Sequence, residues 1–175
     1  MKKLSLSLLV LLSMAFTSCS YKVGTLSHPQ IKTVAILPIQ NTSSEPRAGF
    51  FMMQQLRERF MRDGSLKVTT ADKADIIIRG DIKNYDLSVA GSVKQSETTN
   101  FDDRDEFFSA SIYRAKIAFN YEIYTKDGWF VQAGNPESFA DFTQLIDLEV
   151  EKRQAIKRAS YEVAKKVVNN ITEAW

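Results

Sequence analysis

The sequence has very few of the residues from which catalytic and metal sites are usually built. Of its 175 residues, one is cysteine (Cys19), one is histidine (His28) and seven are glycine. A single cysteine excludes a disulfide within the chain. With one histidine it also leaves too little for a zinc ligand set or for a Ser-His-Asp or Cys-His arrangement. We therefore expect no enzymatic activity, no bound metal and no dissociable cofactor.

No apolar run in the sequence reaches the roughly 20 residues that a membrane-spanning helix needs. Two lysines instead precede a shorter apolar stretch over residues 4–16, and two small residues lead into Cys19. This order is typical of a secretory signal peptide. A lone cysteine at the cleavage point predicts a bacterial lipoprotein, with residues 1–18 removed and diacylglyceryl and acyl groups on Cys19. The alternative is an ordinary secretory signal with an incidental cysteine.

The remaining chain has no excess of charge. Residues 1–18 contain two of the 23 basic residues and none of the 21 acidic ones, so 21 of each remain. A neutral chain provides no general field that would attract nucleic acid, and we expect no nucleic-acid partner. Residues 19–30 read as a polar tether and residues 31–175 as one domain. Ser20 favours the outer membrane, because aspartate at that position commonly retains enteric lipoproteins in the inner membrane.

Hydrophobic periodicity predicts an α+β domain. The predicted elements are a strand over 31–39, a helix over 47–62, strands over 66–70, 75–89, 110–125 and 129–142, and a helix over 146–173. The first helix would bury Phe50, Met53, Leu56 and Phe60, which follow a helical spacing. The expected architecture is a two-layer sandwich, with two amphipathic helices packed on one face of a four- to five-stranded, mostly antiparallel sheet.

Alternation along two of the strands separates an apolar face from a polar one. The odd positions from Ser111 to Ile123 are mainly apolar, whereas the even positions include basic side chains. Because side chains alternate across a strand, four cations should share the polar face, namely Arg79, Lys83, Arg114 and Lys116. They form the candidate site for lipopolysaccharide or another anion. The alternative is a solvated face on which Asp81 and Glu122 form salt bridges.

The stretch 90–109 reads as a polar loop with two unusual groups of residues. Three phenylalanines, Phe101, Phe107 and Phe108, either cap the core or contact a partner or membrane. The acidic group of the same loop could bind a divalent cation, but its spacing does not match a calcium loop. We interpret that group, Asp102, Asp103, Asp105 and Glu106, as a solvated acidic loop.

Three segments, in this order, resemble the lipopolysaccharide-assembly lipoprotein family LptE. C-S-Y-K-V-G at residues 19–24 is similar to the family's C-G-Y start, with serine in place of glycine. The strand over 31–39, followed by Q-N-T and Pro46, is similar to the family's first strand, turn and helix. A-D-I-I-I-R-G-D-I at residues 74–82 resembles its A-D-hydrophobic-G-x-I signature. The predicted C-terminal helix also fits.

The resemblance implies a non-enzymatic protein of the outer membrane. Members of this family plug the lumen of a large β-barrel, LptD, assist its folding and help to deliver lipopolysaccharide to the cell surface. Two alternatives stay open. One is a secretion-channel lipoprotein, related to the curli secretion lipoprotein, which has a similar β-α-β start and forms homo-oligomers. The other is a periplasmic hydrolase that would use the carboxylates near Asp103.

Overall fold

A computed structural model describes residues 31–95, 108–143 and 147–173. Within these ranges the chain forms seven strands and two helices. In chain order they are β1 (Thr33–Ile36), β2 (Gln40–Asn41), α1 (Ala48–Asp63), β3 (Lys67–Val68), β4 (Ile76–Gln95), β5 (Phe108–Thr125), β6 (Phe130–Gly134), β7 (Glu137–Thr143) and α2 (Leu148–Thr172). Cys19, the tether, Phe101, Phe107 and the acidic group lie outside the described residues, as does the side chain of Phe108.

The α+β class and the two helices are confirmed, but the predicted sheet was too small and too uniform. Its strand order is β3-β1-β4-β5-β6, with β2 also paired to β4 and β7 also paired to β5. β1 runs parallel to β3 and β4, and β2 runs parallel to β4. The sheet is mixed because α1 returns the chain to the end of the sheet at which β1 starts. The next strand, β3, therefore runs parallel to β1, as strands joined by a helical crossover do.

Strand ends differ from the prediction for identifiable reasons. β4 continues to Gln95 and β5 begins at Phe108, because polar residues of the predicted loop pair across this ladder. The predicted strand over 129–142 is two strands, β6 and β7, which pair with different parts of β5. Asn135 and Pro136 separate them. Proline has no N–H to donate to a ladder, which favours a break there.

Both helices bury one apolar stripe. In α1 the buried side chains include Ala48, Met52, Leu56 and Phe60, each four residues after the last. Phe50 was wrongly predicted as core, since it is 68% exposed. It lies about 120° around the helix from Leu56 and outside the buried face. The amphipathic helix predicted over 146–173 is confirmed as α2, whose buried stripe runs from Ala155 to Ile171. Among the described residues, no helix combines the length and apolarity that crossing a membrane requires.

β5 forms the floor of the core. Ala115, Ile117, Phe119, Tyr121 and Ile123 are buried, as the alternation predicted. The Phe119 ring occupies the space over Gly80 of β4, where any Cβ would overlap it. Gly80 is therefore needed for the space it leaves and not for a special backbone conformation.

Asp75 joins three segments at one end of the sheet. Its Oδ2 accepts hydrogen bonds from the backbone N–H of Lys32 at 2.8 Å, and from the N–H and hydroxyl of Thr33 at 2.9 and 2.8 Å. Its carbonyl accepts the N–H of Lys126 at 3.0 Å, from the turn after β5. The Lys32 N–H and then the Thr33 hydroxyl lower the pKa of Asp75. These contacts hold the start of β1 beside the turn after β5.

Replacing Gly80 tests the close contact with Phe119. We expect Gly80→Ala to lower the free energy of unfolding by about 1–3 kcal/mol, as overpacking of a core does. Gly91→Ala on the same strand is the matched control, because the nearest atom to its Cβ would be the Ile112 Cδ1 at 4.0 Å. It should stay within about 0.5 kcal/mol of wild type. Urea denaturation measures both, and equal effects would contradict the steric explanation.

Candidate functional site

The outer face of the sheet, opposite the helices, carries the predicted basic residues. In the β5–β7 part of this face, Arg114 lies directly opposite Asp141 in the antiparallel register. Its Nε and Nη2 atoms donate to Asp141 Oδ1 and Oδ2, both at 2.7 Å. Two parallel charge-assisted hydrogen bonds fix the plane of the guanidinium. The side chain is therefore held in one orientation on the surface.

Two further contacts complete this group. The Arg114 guanidinium carbon lies 4.0 Å from the centroid of the Phe139 ring, a cation–π contact. Lys116 Nζ lies 2.9 Å from Glu137 Oε2. We call these five residues the β5–β7 cluster: Arg114, Lys116, Glu137, Phe139 and Asp141. It contains two cations, two carboxylates and one half-exposed aromatic ring, so its formal charge is zero.

Pairing shifts the acid–base properties of Arg114 and Asp141. The hydrogen bonds from Arg114 lower the pKa of the Asp141 carboxyl, and those to Asp141 raise the pKa of Arg114. Both groups therefore stay charged at neutral pH. Acidification through the lowered pKa of Asp141 would neutralise the carboxylate and leave the arginine without its anion.

A second polar group lies nearer the other end of the face. The Arg79 guanidinium carbon is 4.9 Å from the Tyr124 ring centroid, and the Tyr124 hydroxyl donates to Glu122 at 2.8 Å. Arg79 and Glu122 line a cavity of about 420 Å³ beside the Leu37–Gln40 segment. We call this cavity the Arg79 cleft. The cleft forms where β1 stops pairing with β4 and β2 has not yet begun.

The four predicted cations therefore do not converge on one site. Arg79 is opposite Glu122 in the ladder, and eight residues of β5 separate Glu122 from Arg114, which is about 26 Å of strand. Lys83 Nζ is 3.8 Å from Asp81. An acidic or aromatic group thus lies beside each of the four cations, and the role of Arg79, Lys83, Arg114 and Lys116 in anion binding stays a prediction.

The sequence reading missed Glu137, Phe139 and Asp141. These residues alternate along β7 and so share its outer face. The signal was available: a break at Asn135–Pro136 would have allowed residues 137–143 to be read with their own period of two. What no local pattern gives is the register, which places Asp141 and not Glu137 opposite Arg114.

Metal binding has little support in the described part of the chain. No group of three or more histidine, cysteine, aspartate or glutamate side chains comes close enough there to hold an ion. One buried ion pair serves packing instead. Lys152 of α2 lies 2.9 Å from Glu45, whose side chain is 8% exposed, just before α1, and this contact raises the pKa of Lys152. The pair ties α2 to the segment that leads into α1.

Comparison with protein families gives one assignment. The model of the family LptE, described as lipopolysaccharide-assembly, matches residues 31–171. The match includes both helices nearly to the end of α2, every strand and both polar groups of the outer face. A search of curated proteins gave no match.

Solved structures of similar fold share little sequence with this chain. A hypothetical protein from Chlamydia trachomatis aligns at TM-score 0.54 with 7% identity, over 82% of this chain and 99% of its own. A protein from Xanthomonas campestris aligns at 0.53 with 10% identity, over 84% and 88%. The PelC dodecamer from Paraburkholderia phytofirmans aligns at 0.46 with 13% identity, over 86% and 96%. The first two support the fold alone, and the third is too distant to inform assembly.

Replacing Arg114 tests the pairing of the β5–β7 cluster. In Arg114→Gln the pKa of Asp141 should rise toward the ordinary aspartate value, because the two charge-assisted hydrogen bonds are lost. Carboxyl-detected NMR titration measures this value. Lys116→Gln is the matched control and should leave the pKa of Asp141 where it is in wild type. An equal rise in both variants would show that general surface charge, and not the bidentate contact, sets this pKa.

Proposed function

The chain belongs to the LptE family of lipopolysaccharide-assembly proteins, and from this we propose that it is a lipid-anchored protein of the outer membrane that plugs an LptD-type β-barrel. In this role it helps the barrel to assemble and assists the delivery of lipopolysaccharide to the cell surface. The observation that carries the proposal is the family match over residues 31–171. The function needs no catalytic residue.

The signal segment supports the anchor. Cys19 follows a charged, apolar and small-residue sequence of the kind that precedes a lipidated cysteine. Each buried methylene of an acyl chain contributes about 0.8 kcal/mol to membrane binding, so several chains hold a protein stably. Lipid on Cys19 would then fix the protein to the membrane in which its barrel partner resides.

The outer face suits the lumen of a barrel. The interior of an outer-membrane barrel is polar, and an apolar plug surface there would leave wall groups without hydrogen-bond partners. In the β5–β7 cluster the charged groups of the outer face are already paired with one another. A face of this kind can lie against a polar wall without burying isolated charges, whose desolvation is costly.

The basic residues of this face also suit lipid A phosphates. Arginine binds phosphate through two parallel hydrogen bonds, and lysine binds it as a point charge. A phosphate that reaches Arg114 or Lys116 must replace Asp141 or Glu137 as the anionic partner. Binding would therefore proceed by exchange of one anion for another, with the cations already positioned.

Co-purification tests the plug assignment. We expect the tagged, lipidated protein, purified from detergent-solubilised outer membrane, to bring along one large β-barrel at one-to-one stoichiometry, with lipopolysaccharide. Mass spectrometry identifies the barrel and the lipid on Cys19. A homo-oligomeric ring without a barrel would instead support the secretion-channel alternative. Cys19→Ala is the control for the anchor and should shift the protein to the soluble periplasmic fraction.

Charge reversal tests the lipopolysaccharide contact. Arg114→Glu with Lys116→Glu should weaken lipopolysaccharide binding roughly tenfold or more, since a hydrogen bond to a charged group contributes about 1.5–3 kcal/mol. Binding of the purified protein to immobilised lipopolysaccharide measures the effect. Arg57→Glu with Arg62→Glu makes the same change in net charge at exposed positions of α1 and should bind as wild type does.

A second control distinguishes the position of the guanidinium from the overall charge of the β5–β7 cluster. Arg114→Asp combined with Asp141→Arg keeps the ion pair and the net charge but moves the cation to β7. Retained binding in this variant would mean that the local field suffices, and lost binding that the position of the guanidinium matters. Unchanged binding of the Arg114→Glu, Lys116→Glu variant would remove the β5–β7 cluster from the proposed contact.

A further inference from the structure

The turn between β5 and β6 carries an exposed aromatic group. Trp129 is 74% exposed and Phe130 is 60% exposed, and the Phe130 ring packs edge-on against Tyr124 with their centroids 5.9 Å apart. We call these three residues the aromatic tip. No other described pair of sequence neighbours exposes two side chains of this size. Leaving such surface in water costs stability, so a covering environment is expected.

A rigid turn holds the aromatic tip outward. The Gly128 N–H donates to the Thr125 carbonyl at 2.9 Å, and the Thr125 N–H donates to the Trp129 carbonyl at 2.8 Å. The Thr125 hydroxyl accepts the Trp129 N–H at 3.1 Å. Gly128 has a φ of 86°, which glycine adopts without the cost that other residues incur. The aromatic side chains are thus exposed by a fixed backbone and not by a loose loop.

The aromatic tip lies at the end of the sheet where the chain leaves the predicted tether. Asp75 accepts the N–H of Lys32 through its side chain and the N–H of Lys126 through its carbonyl. β1 and β5 are both neighbours of β4, so they lie about 10 Å apart. Lys32, Thr33 and the turn that carries Trp129 therefore share one edge of the sheet.

The length of the preceding chain limits how far this edge can be from the membrane. Cys19 lies twelve residues before Ile31, and twelve extended residues span at most about 40 Å. A lipid on Cys19 would thus hold this edge within about 40 Å of the bilayer. The exposed aromatic group on this edge is therefore within reach of the lipid surface.

We propose that the aromatic tip inserts into the interfacial layer of the phospholipid bilayer and forms a second membrane contact beside the lipid on Cys19. Tryptophan and tyrosine favour this layer, because their rings are apolar and their N–H or O–H groups reach water. The inference rests on the lipid anchor of the proposed function. It requires neither the barrel nor lipopolysaccharide binding.

Charge contributes little to this contact. Lys32, Lys67, Lys73 and Lys126 belong to this edge, and the carboxylates of Asp72, Asp75 and Asp127 offset three of these four charges. A contact made by aromatic rings on a surface with one excess charge should depend little on ionic strength, unlike the binding of a polybasic patch to anionic lipid. Salt dependence therefore distinguishes the two mechanisms.

Tryptophan fluorescence tests the proposal directly, because the chain has only two tryptophans, Trp129 and Trp175. The full-length lipidated protein with Trp175→Phe is reconstituted into vesicles of phosphatidylethanolamine and phosphatidylglycerol. We expect the emission of Trp129 in vesicles to be blue-shifted relative to that of the same protein in aqueous buffer without vesicles. We also expect a loss of emission when part of the lipid is phosphatidylcholine brominated on its acyl chains. Neither effect should change between low and high salt.

A second single-tryptophan protein is the matched control. Trp129→Phe, Trp175→Phe and Phe139→Trp place the only tryptophan on β7, where position 139 lies opposite Lys116. Nine residues of β5 separate that position from Thr125, which is about 30 Å along the sheet. Brominated lipid should leave this emission unchanged. Equal quenching at both positions would overturn the proposal, since it would indicate that the whole domain lies flat on the bilayer.

Two other outcomes would also overturn it, and they are distinguishable. Unquenched Trp129 in protein that carries lipid on Cys19 and floats with the vesicles would exclude the contact but leave the barrel proposal intact. A blue shift that appears only when the co-purified barrel is added would assign the aromatic tip to the barrel wall. Absence of lipid on Cys19 by mass spectrometry would overturn both the anchor and this inference.

Discussion

The alternation of side chains along β5 is the constraint on which the rest of the structure depends. Its inward residues from Ala115 to Ile123 form one core with the buried faces of both helices, and its backbone pairs with β4, β6 and β7. A shift of one residue in this strand would turn every buried ring to solvent and every outward cation into the core. The gap at Gly80 admits the Phe119 ring, so the register of β4 against β5 is fixed sterically as well as by hydrogen bonds.

The same alternation produces the outer face, because the side chains of β5 that do not point into the core point to solvent. Arg114 and Lys116 face outward because Ala115 and Ile117 face inward, and β7 supplies a carboxylate for each cation. A surface of paired charges is well ordered but has little net field. Any anionic ligand must then compete with Asp141 and Glu137, which favours ligands with several charges, such as a phosphorylated lipid, over single anions.

How far the sequence predicts this structure depends on whether each feature is local. The stripe of α2 and the inward face of β5 were readable, because each repeats a regular period over many residues. Phe50 was misassigned because spacings of three to four residues fit more than one face of a helix. Both the predicted set and the observed set contain Leu56 and Phe60. The ends of β4 and β5 were missed since most residues there are polar and show no alternation, whereas the pairing itself needs only backbone groups. The pairing of Arg114 with Asp141 spans 27 residues and depends on a register that only the folded sheet sets.

The junction at Asp75 has a mechanical consequence. A pull on the N-terminal segment acts along β1, which is flanked on both sides by parallel neighbours, β3 and β4. Such a load stretches the hydrogen bonds of both ladders together, in shear, instead of opening them one after another. The hydrogen bonds from Lys32 and Thr33 to Asp75 take up the force first and pass it to β4, the longest strand of the sheet. The domain should therefore resist force best at the end of β1, where a membrane tether would apply it.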